Sequence, residues 1–442
     1  MPDIRAHRLS RQDIDRNFSD LHPPLRRSEA LIEADRCYFC FDAPCTTACP
    51  TGIDIPAFIQ KIRSDNVRGS AQTILNENIM GGMCARVCPT EVLCEEACVR
   101  NTHEDKPVEI GLLQRYATDP VFKNDTQMFS RAPTSGKKVA VVGGGPAGLS
   151  CAHRLAVLGH DVVIYNRDDK LGGLNEYGIA AYKTVNDFAQ QEVEYILSIG
   201  GIEVRSGISL GEDVTLSALA DDYDAVFLGI GLGDVNELGV AGEGLPGVEN
   251  AIDYIADLRQ ADDKATLPVG GKVVVIGGGM TAIDVAVQSK RLGAEQVDLV
   301  YRRGVAQMGA SAYEQELAQT NGVTIHHLAQ PLRVLGTDAA EGVEFEKTVL
   351  DESGTLKGTG ETFSLEADIV FKAIGQRLKD DLLADGSLQF QNGKIVVDED
   401  QATSLRGIWA GGDCVVGGDD LTVSAVQHGK MAAIAIDRHL RT

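Results

Sequence analysis

The sequence has no uninterrupted run of about 18 apolar residues, which is the length that a membrane-spanning helix needs. Residues 1–21 are rich in Arg and Asp and lack an apolar segment, so they do not resemble a secretory signal. Basic residues are also few, since 41 Lys and Arg stand against 64 Asp and Glu, for a formal charge of −23. Because this charge repels nucleic acid and anionic lipid, we expect a cytoplasmic protein with no nucleic-acid or membrane partner.

Long Ser, Gln or charge-block tracts are absent and only 14 Pro occur, which excludes a disordered chain. A length of 442 residues predicts two or three domains. Without an export signal, the ten cysteines are expected to be thiols or metal ligands rather than disulfides.

The pattern along the chain divides into zones. Eight of the ten cysteines lie between Cys37 and Cys98, in a region that reads as helices and loops. From Lys137 onward, short apolar strands alternate with helices, and residues 139–150 are echoed by residues 273–284. This predicts an α/β protein with an N-terminal helical domain and two doubly wound nucleotide-binding domains. The predicted boundaries are 1–130 for the helical domain, 131–232 with 373–442 for the first nucleotide-binding domain, and 233–372 for the second.

The first repeat carries a dinucleotide-binding pattern. Gly143, Gly145 and Gly148 follow an apolar strand and open a helix near Pro146, so backbone N–H groups would face a pyrophosphate. The next strand ends in Asn166, where a carboxylate normally binds the ribose. Because Asn lacks the charge-assisted part of that bond, we expect a weaker hold on the nucleotide.

Two further motifs indicate that this first nucleotide is FAD. Residues 171–174 (LGGL) and 410–413 (AGGD) resemble the two flavin motifs of disulfide-reductase-like flavoproteins. A helix opening at Thr422 would direct its positive N-terminus at the flavin. The predicted FAD contacts are Gly143, Gly145, Pro146, Ala147, Gly148, Asn166, Gly172, Gly173, Leu174, Lys183, Gly412, Asp413, Thr422 and Val423.

The second repeat predicts a nicotinamide nucleotide site. Its second strand ends in Arg302 and Arg303, where NAD-specific sites usually carry a carboxylate, and two guanidinium groups there favour the 2′-phosphate of NADP. Solvated surface arginines are the alternative interpretation. The predicted contacts are Gly277, Gly278, Gly279, Met280, Thr281, Arg302, Arg303, Ala373, Ile374 and Gly375.

The cysteines fall into two runs. The first is C-x2-C-x4-C-x3-C-P from Cys37 to Cys49, and the second is C-x3-C-P-x4-C-x3-C from Cys84 to Cys98. The C-x3-C-P ending matches bacterial iron–sulfur runs, and two 4Fe–4S clusters need eight ligands. Structural zinc is the main alternative, although only some spacings suit it.

Residues 37–117, with CPTGIDIPAFI, GMCARVCPTEVLCEEAC and VEIGLLQRYA, resemble the iron–sulfur domain of the dihydropyrimidine dehydrogenase family. The resemblance continues to the C-terminus and is strongest to the small flavoprotein subunit of bacterial NAD-dependent members. It implies one cluster held by Cys37, Cys40, Cys45 and Cys98, and another held by Cys49, Cys88, Cys94 and the amide of Gln114. Cys84 would then be a non-ligand. Val87 would lie near the flavin.

The resemblance also implies NADH, with NADPH as the alternative, because Gly309 stands where NADP-using relatives have a third cation. It implies an electron-input role for the chain, in which NADH is oxidised through FAD and two 4Fe–4S clusters. The chain has no room for a barrel domain after its second FAD motif, so we expect a catalytic subunit with FMN and iron–sulfur clusters, in a heterotetramer. That partner would reduce uracil or thymine. A glutamate synthase small subunit using NADPH and a zinc-bearing scaffold without redox activity are the competing hypotheses.

Overall fold

The computed structural model describes residues 9–124, 126–351, 353–379 and 388–441. They form two compact units. The larger unit comprises His22–Glu176, Asn186–Asp234 and Leu378–Thr442, and the smaller unit comprises Met1–Leu21, Tyr177–Val185 and Val235–Arg377. No helix within the described ranges has the length and apolarity needed to cross a bilayer.

The described part of the chain begins with helices, continues with strands and helices intermixed, and then consists mainly of strands up to its last helix. The helices are α1 (Arg11–Asn17), α2 (Arg27–Asp35), α3 (Pro44–Ala48), α4 (Ile55–Arg63), α5 (Val67–Glu77), α6 (Gly81–Val87), α7 (Asn101–Glu104), α8 (Ile110–Lys123), α9 (Pro146–Val157), α10 (Leu174–Tyr177), α11 (Phe188–Leu197), α12 (Leu216–Asp222), α13 (Ala251–Gln260), α14 (Met280–Arg291), α15 (Ala312–Thr320) and α16 (Thr422–Leu440). The strands are β1 (Lys138–Val142), β2 (Asp161–Asn166), β3 (Ile202–Ser206), β4 (Ala225–Leu228), β5 (Asp234–Val235), β6 (Val248–Asn250), β7 (Lys272–Gly277), β8 (Gln296–Tyr301), β9 (Thr324–His327), β10 (Ala329–Leu335), β11 (Gly342–Leu350), β12 (Leu356–Glu366), β13 (Ile369–Ala373), β14 (Gln376–Arg377), β15 (Phe390–Gln391), β16 (Lys394–Ile395) and β17 (Ile408–Ala410).

The helical region of the larger unit has its own apolar core. Helix α4 illustrates why it forms: Asp54 accepts a hydrogen bond from the backbone N–H of Ala57, and Pro56 occupies the first turn. Its buried residues recur at helical spacing and pack with residues of α5 and α8. The buried side chains of α4 are Ile55, Phe58, Ile59 and Ile62.

Each unit contains a parallel five-stranded sheet. In the larger unit the strand order is β17-β4-β1-β2-β3, and in the smaller unit it is β6-β13-β7-β8-β9. The smaller unit adds an antiparallel sheet of order β10-β11-β12. Because β17 pairs with β4, the last part of the chain completes the first sheet. The predicted fold class, a helical iron–sulfur domain followed by doubly wound nucleotide-binding folds, is confirmed.

The predicted division into three domains stays a prediction, and the compact units differ from it in detail. The helical region and the first nucleotide-binding sheet fall in one unit. Residues 9–21 and 177–185 belong instead to the smaller unit: Asn17 donates a hydrogen bond to the carbonyl of Arg291, and Ala181 donates one to Gln288. Such pairings join residues that are distant in sequence, so no local pattern indicates them.

Candidate nucleotide and cluster sites

The turn after β1 is shaped by glycines that tolerate no side chain. Gly143 has φ +97°, and a Cβ there would lie 2.2 Å from the carbonyl oxygen of Gly229. A Cβ on Gly148 would lie 1.9 Å from the carbonyl oxygen of Gly143. Without side chains at these positions, the N-terminus of α9 can pack close behind the strand. This arrangement presents backbone N–H groups to a phosphate.

The two predicted flavin motifs lie against this turn. A Cβ on Gly173 would be 2.9 Å from the Cα of Gly145, and a Cβ on Gly412 would be 3.4 Å from the Cβ of Ala147. The structure therefore brings together segments more than 200 residues apart along the chain. Helix α16 begins at Thr422, whose hydroxyl donates to the side-chain oxygen of Asn175 at 2.6 Å.

Asp413 is the ionisable group of the second flavin motif. Burial, with the charge of Asp420 as the next cause, raises the pKa of Asp413 to about 6. The preceding Gly412 donates its backbone N–H to Nδ1 of His428 at 3.2 Å, which fixes the backbone from which the carboxyl projects. A carboxyl with this pKa is charged at neutral pH and can accept hydrogen bonds from a ribityl chain.

Asn166 is buried, and its side chain is hydrogen-bonded to backbone groups. Its side-chain oxygen accepts the N–H of Gly144 at 2.9 Å, and its amide nitrogen donates to the carbonyls of Asp168, at 2.6 Å, and Lys170, at 3.1 Å. These bonds connect the glycine turn to the loop after β2. Its predicted ribose contact stays a prediction.

Lys183 lies in the smaller unit. Its amino group pairs with Asp284 at 2.7 Å and with Glu314 at 2.8 Å, and all three side chains are largely buried. The charges of these carboxylates outweigh burial and raise the pKa of Lys183. The predicted flavin contact of Lys183 stays a prediction. Val87 ends α6 in the larger unit.

The second glycine turn repeats the first one in the smaller unit. A Cβ on Gly277 would lie 2.1 Å from the carbonyl oxygen of Ala373, so the turn after β7 abuts the end of β13, where Ile374 and Gly375 follow. Gly279 precedes Met280 and Thr281, the first residues of α14. Gly309 packs beside Gly279, because a Cβ on it would be 3.7 Å from that Cα.

Arg302 and Arg303 follow β8 and are exposed. Their backbone is fixed, since the carbonyl of Arg302 accepts the hydroxyl of Thr348 at 2.7 Å and that of Arg303 accepts the N–H of Leu328 at 3.1 Å. The two arginines therefore directly follow the second strand of the repeat, and their predicted contact with a ribose 2′-phosphate stays a prediction.

Four cysteines, three from the first run and one from the second, line one pocket. The lining of this pocket is largely apolar and includes Ile55 and Val108. Two sulfurs also accept backbone hydrogen bonds, Cys37 from Phe39 at 3.4 Å and Cys98 from Val108 at 3.5 Å. Such bonds stabilise sulfur ligands of a cluster and tune its potential. The cysteines of this pocket are Cys37, Cys40, Cys45 and Cys98.

The remaining four cysteines of the region, Cys49, Cys84, Cys88 and Cys94, form a second group. The Cys84 side chain hydrogen-bonds the Cys88 thiol and is the first cause that holds the pKa of Cys88 well above its ordinary value, followed by burial and the thiols of Cys94 and Cys49. Burial likewise raises the pKa of Cys45 in the first group to about 12. Metal binding must therefore displace protons from these thiols.

The spacing of these thiols suits a cluster better than a single ion. Within the described ranges, no three His, Cys, Asp or Glu side chains converge closely enough to hold one metal ion. Zinc needs its sulfur ligands about 2.3 Å from one centre. A cubane cluster spreads its ligands over four iron atoms, so the donor set fits iron and sulfide.

Gln114 lies on α8 and bonds to α6, the helix that carries Cys84. It is 7% exposed, and its amide nitrogen donates to the carbonyl of Gly81 at 2.7 Å. That bond fixes the amide and leaves its oxygen for another partner. The ligand role of Gln114 stays a prediction.

Sequence reasoning missed Glu192 on α11. Its Oε1 accepts the N–H groups of Gly82 at 2.9 Å and Met83 at 3.1 Å, at the start of the helix that carries Cys84. Burial raises the pKa of Glu192 to about 8, and its Oε2 has no hydrogen-bond partner among the described residues. The available signal was its place on the buried face of α11, one helical turn after Phe188.

Together, the two glycine turns and the two groups of thiols are typical of an NAD(P)H-dependent oxidoreductase with a flavin and an iron–sulfur centre. The pyridine nucleotide-disulphide oxidoreductase family matches residues 137–429, and dihydropyrimidine dehydrogenase domain II, 4Fe-4S cluster, matches residues 14–126. The chain therefore belongs to the pyridine nucleotide-disulphide oxidoreductase family and carries a 4Fe–4S domain. These matches confirm the predicted enzyme class, the flavin, the nicotinamide nucleotide and the 4Fe–4S centre.

Similar proteins include the NAD-dependent dihydropyrimidine dehydrogenase subunit PreT of Salmonella typhimurium, which is 35% identical over 96% of this chain and 97% of its own. The glutamate synthase [NADPH] small chain of Escherichia coli is 34% identical over 95% of this chain and 93% of its own. Among solved structures, thioredoxin reductase of T. acidophilum matches 69% of this chain and 100% of its own, with a TM-score of 0.56 and 22% identity. That structural likeness supports the fold alone.

Proposed function

We propose that this chain is the electron-input subunit of a dihydropyrimidine dehydrogenase, oxidising NADH and passing electrons to a partner that reduces uracil or thymine. The observation that carries the proposal is the presence, in the larger unit, of a flavin-type glycine turn and two groups of four thiols that are partly or fully buried. The similarity to the PreT subunit over nearly the full length supports it.

When bound, FAD and iron–sulfur clusters supply the conversion of a two-electron donor into single-electron transfers. The chain's own residues would bind and orient these groups. The first glycine turn would hold the pyrophosphate of FAD, and Asp413 would accept its ribityl hydroxyls. The second turn, at Gly277–Gly279, would hold the nicotinamide nucleotide.

The cysteine groups would take the ligand sets implied by the family resemblance. Cys37, Cys40, Cys45 and Cys98 would hold one cluster, and Cys49, Cys88, Cys94 and Gln114 the other. The apolar lining of the first pocket supports this, since a dry site stabilises thiolate-bound iron against exchange with water.

We infer NADH as the donor because Gly309 places no third cation beside the two exposed arginines. Two arginines without an opposing carboxylate leave NADPH as a weaker substrate. The inferred partner is a subunit with FMN and iron–sulfur clusters, in a heterotetramer.

Anaerobic purification followed by metal, sulfide and flavin analysis and nucleotide titration tests the proposal. The expected result is about eight iron and one FAD per chain, with a visible spectrum bleached by NADH. Zinc without iron, or no bleaching by either nucleotide, would contradict an electron-input role.

A glutamate synthase small subunit is the second candidate, favoured by the 34% identity to the Escherichia coli small chain. Mixing the purified chain with separately prepared partner subunits separates the two. NADH-dependent uracil reduction with the FMN-containing subunit supports the first assignment, and NADPH-dependent glutamate formation with a large amidotransferase subunit supports the second.

A further inference from the structure

The second thiol group contains one more potential donor than a cluster bound by Gln114 needs. Cys84 is 2% exposed, and its side chain lies near the thiol of Cys88. The two residues are four apart, in the middle of α6 and just beyond its end, and the Cys88 N–H donates to the Cys84 carbonyl at 3.1 Å. This spacing places both thiols on one side of the helix end.

Gln114 reaches the same helix. Its amide nitrogen is bonded to the carbonyl of Gly81, three residues before Cys84. The amide of Gln114 is therefore bonded to the short helix that carries the thiol of Cys84, and both side chains are buried. Iron prefers a thiolate to an amide oxygen, so the neutral amide is the weaker of the two donors.

We propose that Cys84 is a reserve ligand of the second cluster, which binds iron when the bond to Gln114 is lost. This inference rests on the proposed function and on its ligand set. In the exchange, the iron–oxygen bond to the amide breaks, the Cys84 thiol releases its proton to solvent, and an iron–sulfur bond forms. No electron is gained or lost, and the site becomes more negative by one charge.

The added charge has a measurable consequence. A more negative site is harder to reduce, so the potential of the second cluster falls when thiolate replaces the amide. A buried cation on the same helix as Cys84, Arg86, is already engaged by Asp119 at 2.8 Å and by the carbonyl of Gly82 at 2.9 Å. It therefore compensates the new charge only in part.

The test compares the full-length wild type with Gln114→Ala, Cys84→Ala and the double variant, purified anaerobically. We expect the wild type and both single variants to hold the same iron, and the double variant to hold about half as much. Gln114→Ala should also show altered electron paramagnetic resonance of the reduced cluster and a lower potential. The matched control is Gln114→Ala with Cys151→Ala, which removes a buried thiol of α9 and should keep full iron.

Each outcome decides the inference. Loss of half of the iron in Gln114→Ala alone, or full iron in the double variant, overturns it. The FAD content of the double variant reports whether it is folded. If the double variant loses FAD, the electron paramagnetic resonance spectrum of Gln114→Ala decides instead. A spectrum like that of the wild type overturns the inference, and an altered spectrum supports it. A wild type without iron overturns the proposed function as well, which distinguishes the two failures.

Discussion

At the scale of single residues, the buried carboxyl of Glu192 beside the start of α6 is the least expected feature. Glu192 lies among Gly82, Met83 and Arg86 with no exposed atom, and its carboxyl loses solvation that two backbone N–H groups only partly replace. The group therefore holds its proton at neutral pH, although Glu normally ionises near pH 4.5.

Glu192→Gln should flatten the dependence of stability on pH. Because the pKa of Glu192 is about 8 in the fold and ordinary in the unfolded chain, the native state binds more protons between these values, and stability falls as pH rises from about 5 to 8. At about 1.4 kcal/mol per pH unit, the group costs up to a few kcal/mol at pH 8. Urea unfolding at several pH values measures this slope.

The matched control is Glu194→Gln, which changes an exposed carboxyl on the same helix. It should retain the wild-type slope. Equal slopes for wild type and Glu192→Gln would show that Glu192 ionises normally in the folded protein.

Substitution of Arg302 and Arg303 by Ala tests how the nucleotide is selected. Loss of charge-assisted bonds to a 2′-phosphate should raise KM for NADPH roughly tenfold or more, with a smaller effect on NADH. Steady-state reduction of a dye acceptor measures both. Arg333→Ala, an exposed cation on β10 paired with Glu344, is the control, and equal losses for both nucleotides would contradict selection by these arginines.

At the scale of elements, substitutions in the two glycine turns should impair different cofactor-dependent properties. Gly148→Ala places a Cβ 1.9 Å from the carbonyl oxygen of Gly143 and should abolish FAD retention. Gly277→Ala, in the other unit, should keep FAD but lose bleaching by NADH. Flavin analysis and NADH titration measure these losses.

Gly244→Ala is the control for these substitutions, because a Cβ there meets nothing within 4 Å and the residue has no positive φ. It should behave as the wild type. Loss of FAD in Gly277→Ala would mean that the two turns do not serve separate nucleotides.

The elements that could be predicted most readily from the sequence were those marked by a local sequence pattern. The strand, glycine turn and helix around Gly143 and Gly277 follow from apolar periodicity and spacing, and the structure places both turns at strand ends as that pattern requires. The bonds of Asn166 and the contact of Cys84 with Cys88 could not be read in the same way. They depend on how a side chain is oriented after packing, which residue type alone does not determine.

At the scale of the whole molecule, the division into two units predicts separable unfolding. All eight cysteines of the helical region lie in the larger unit, so removal of iron should lower the stability of that unit only. If NADH binds the smaller unit as proposed, added NADH should raise the unfolding temperature of that unit by mass action. Calorimetry of the anaerobic protein, with and without an iron chelator, measures both shifts.

A chelator that lowers every transition equally would contradict separable units. The useful control is the same experiment with added FAD, which should stabilise the larger unit and leave the NADH-sensitive transition in place.

The pairing of the cysteine runs also bears on how the protein is made. Cys98, from the second run, shares a pocket with three cysteines of the first, while Cys49, from the first, is grouped with Cys88 and Cys94 of the second. On the ribosome, the first proposed ligand set is incomplete until the nascent chain has emerged past Cys98, and the second is incomplete until it has emerged past Gln114. Maturation factors therefore meet a largely finished domain, and an early translational arrest yields a fragment without a complete set of cysteines for either cluster.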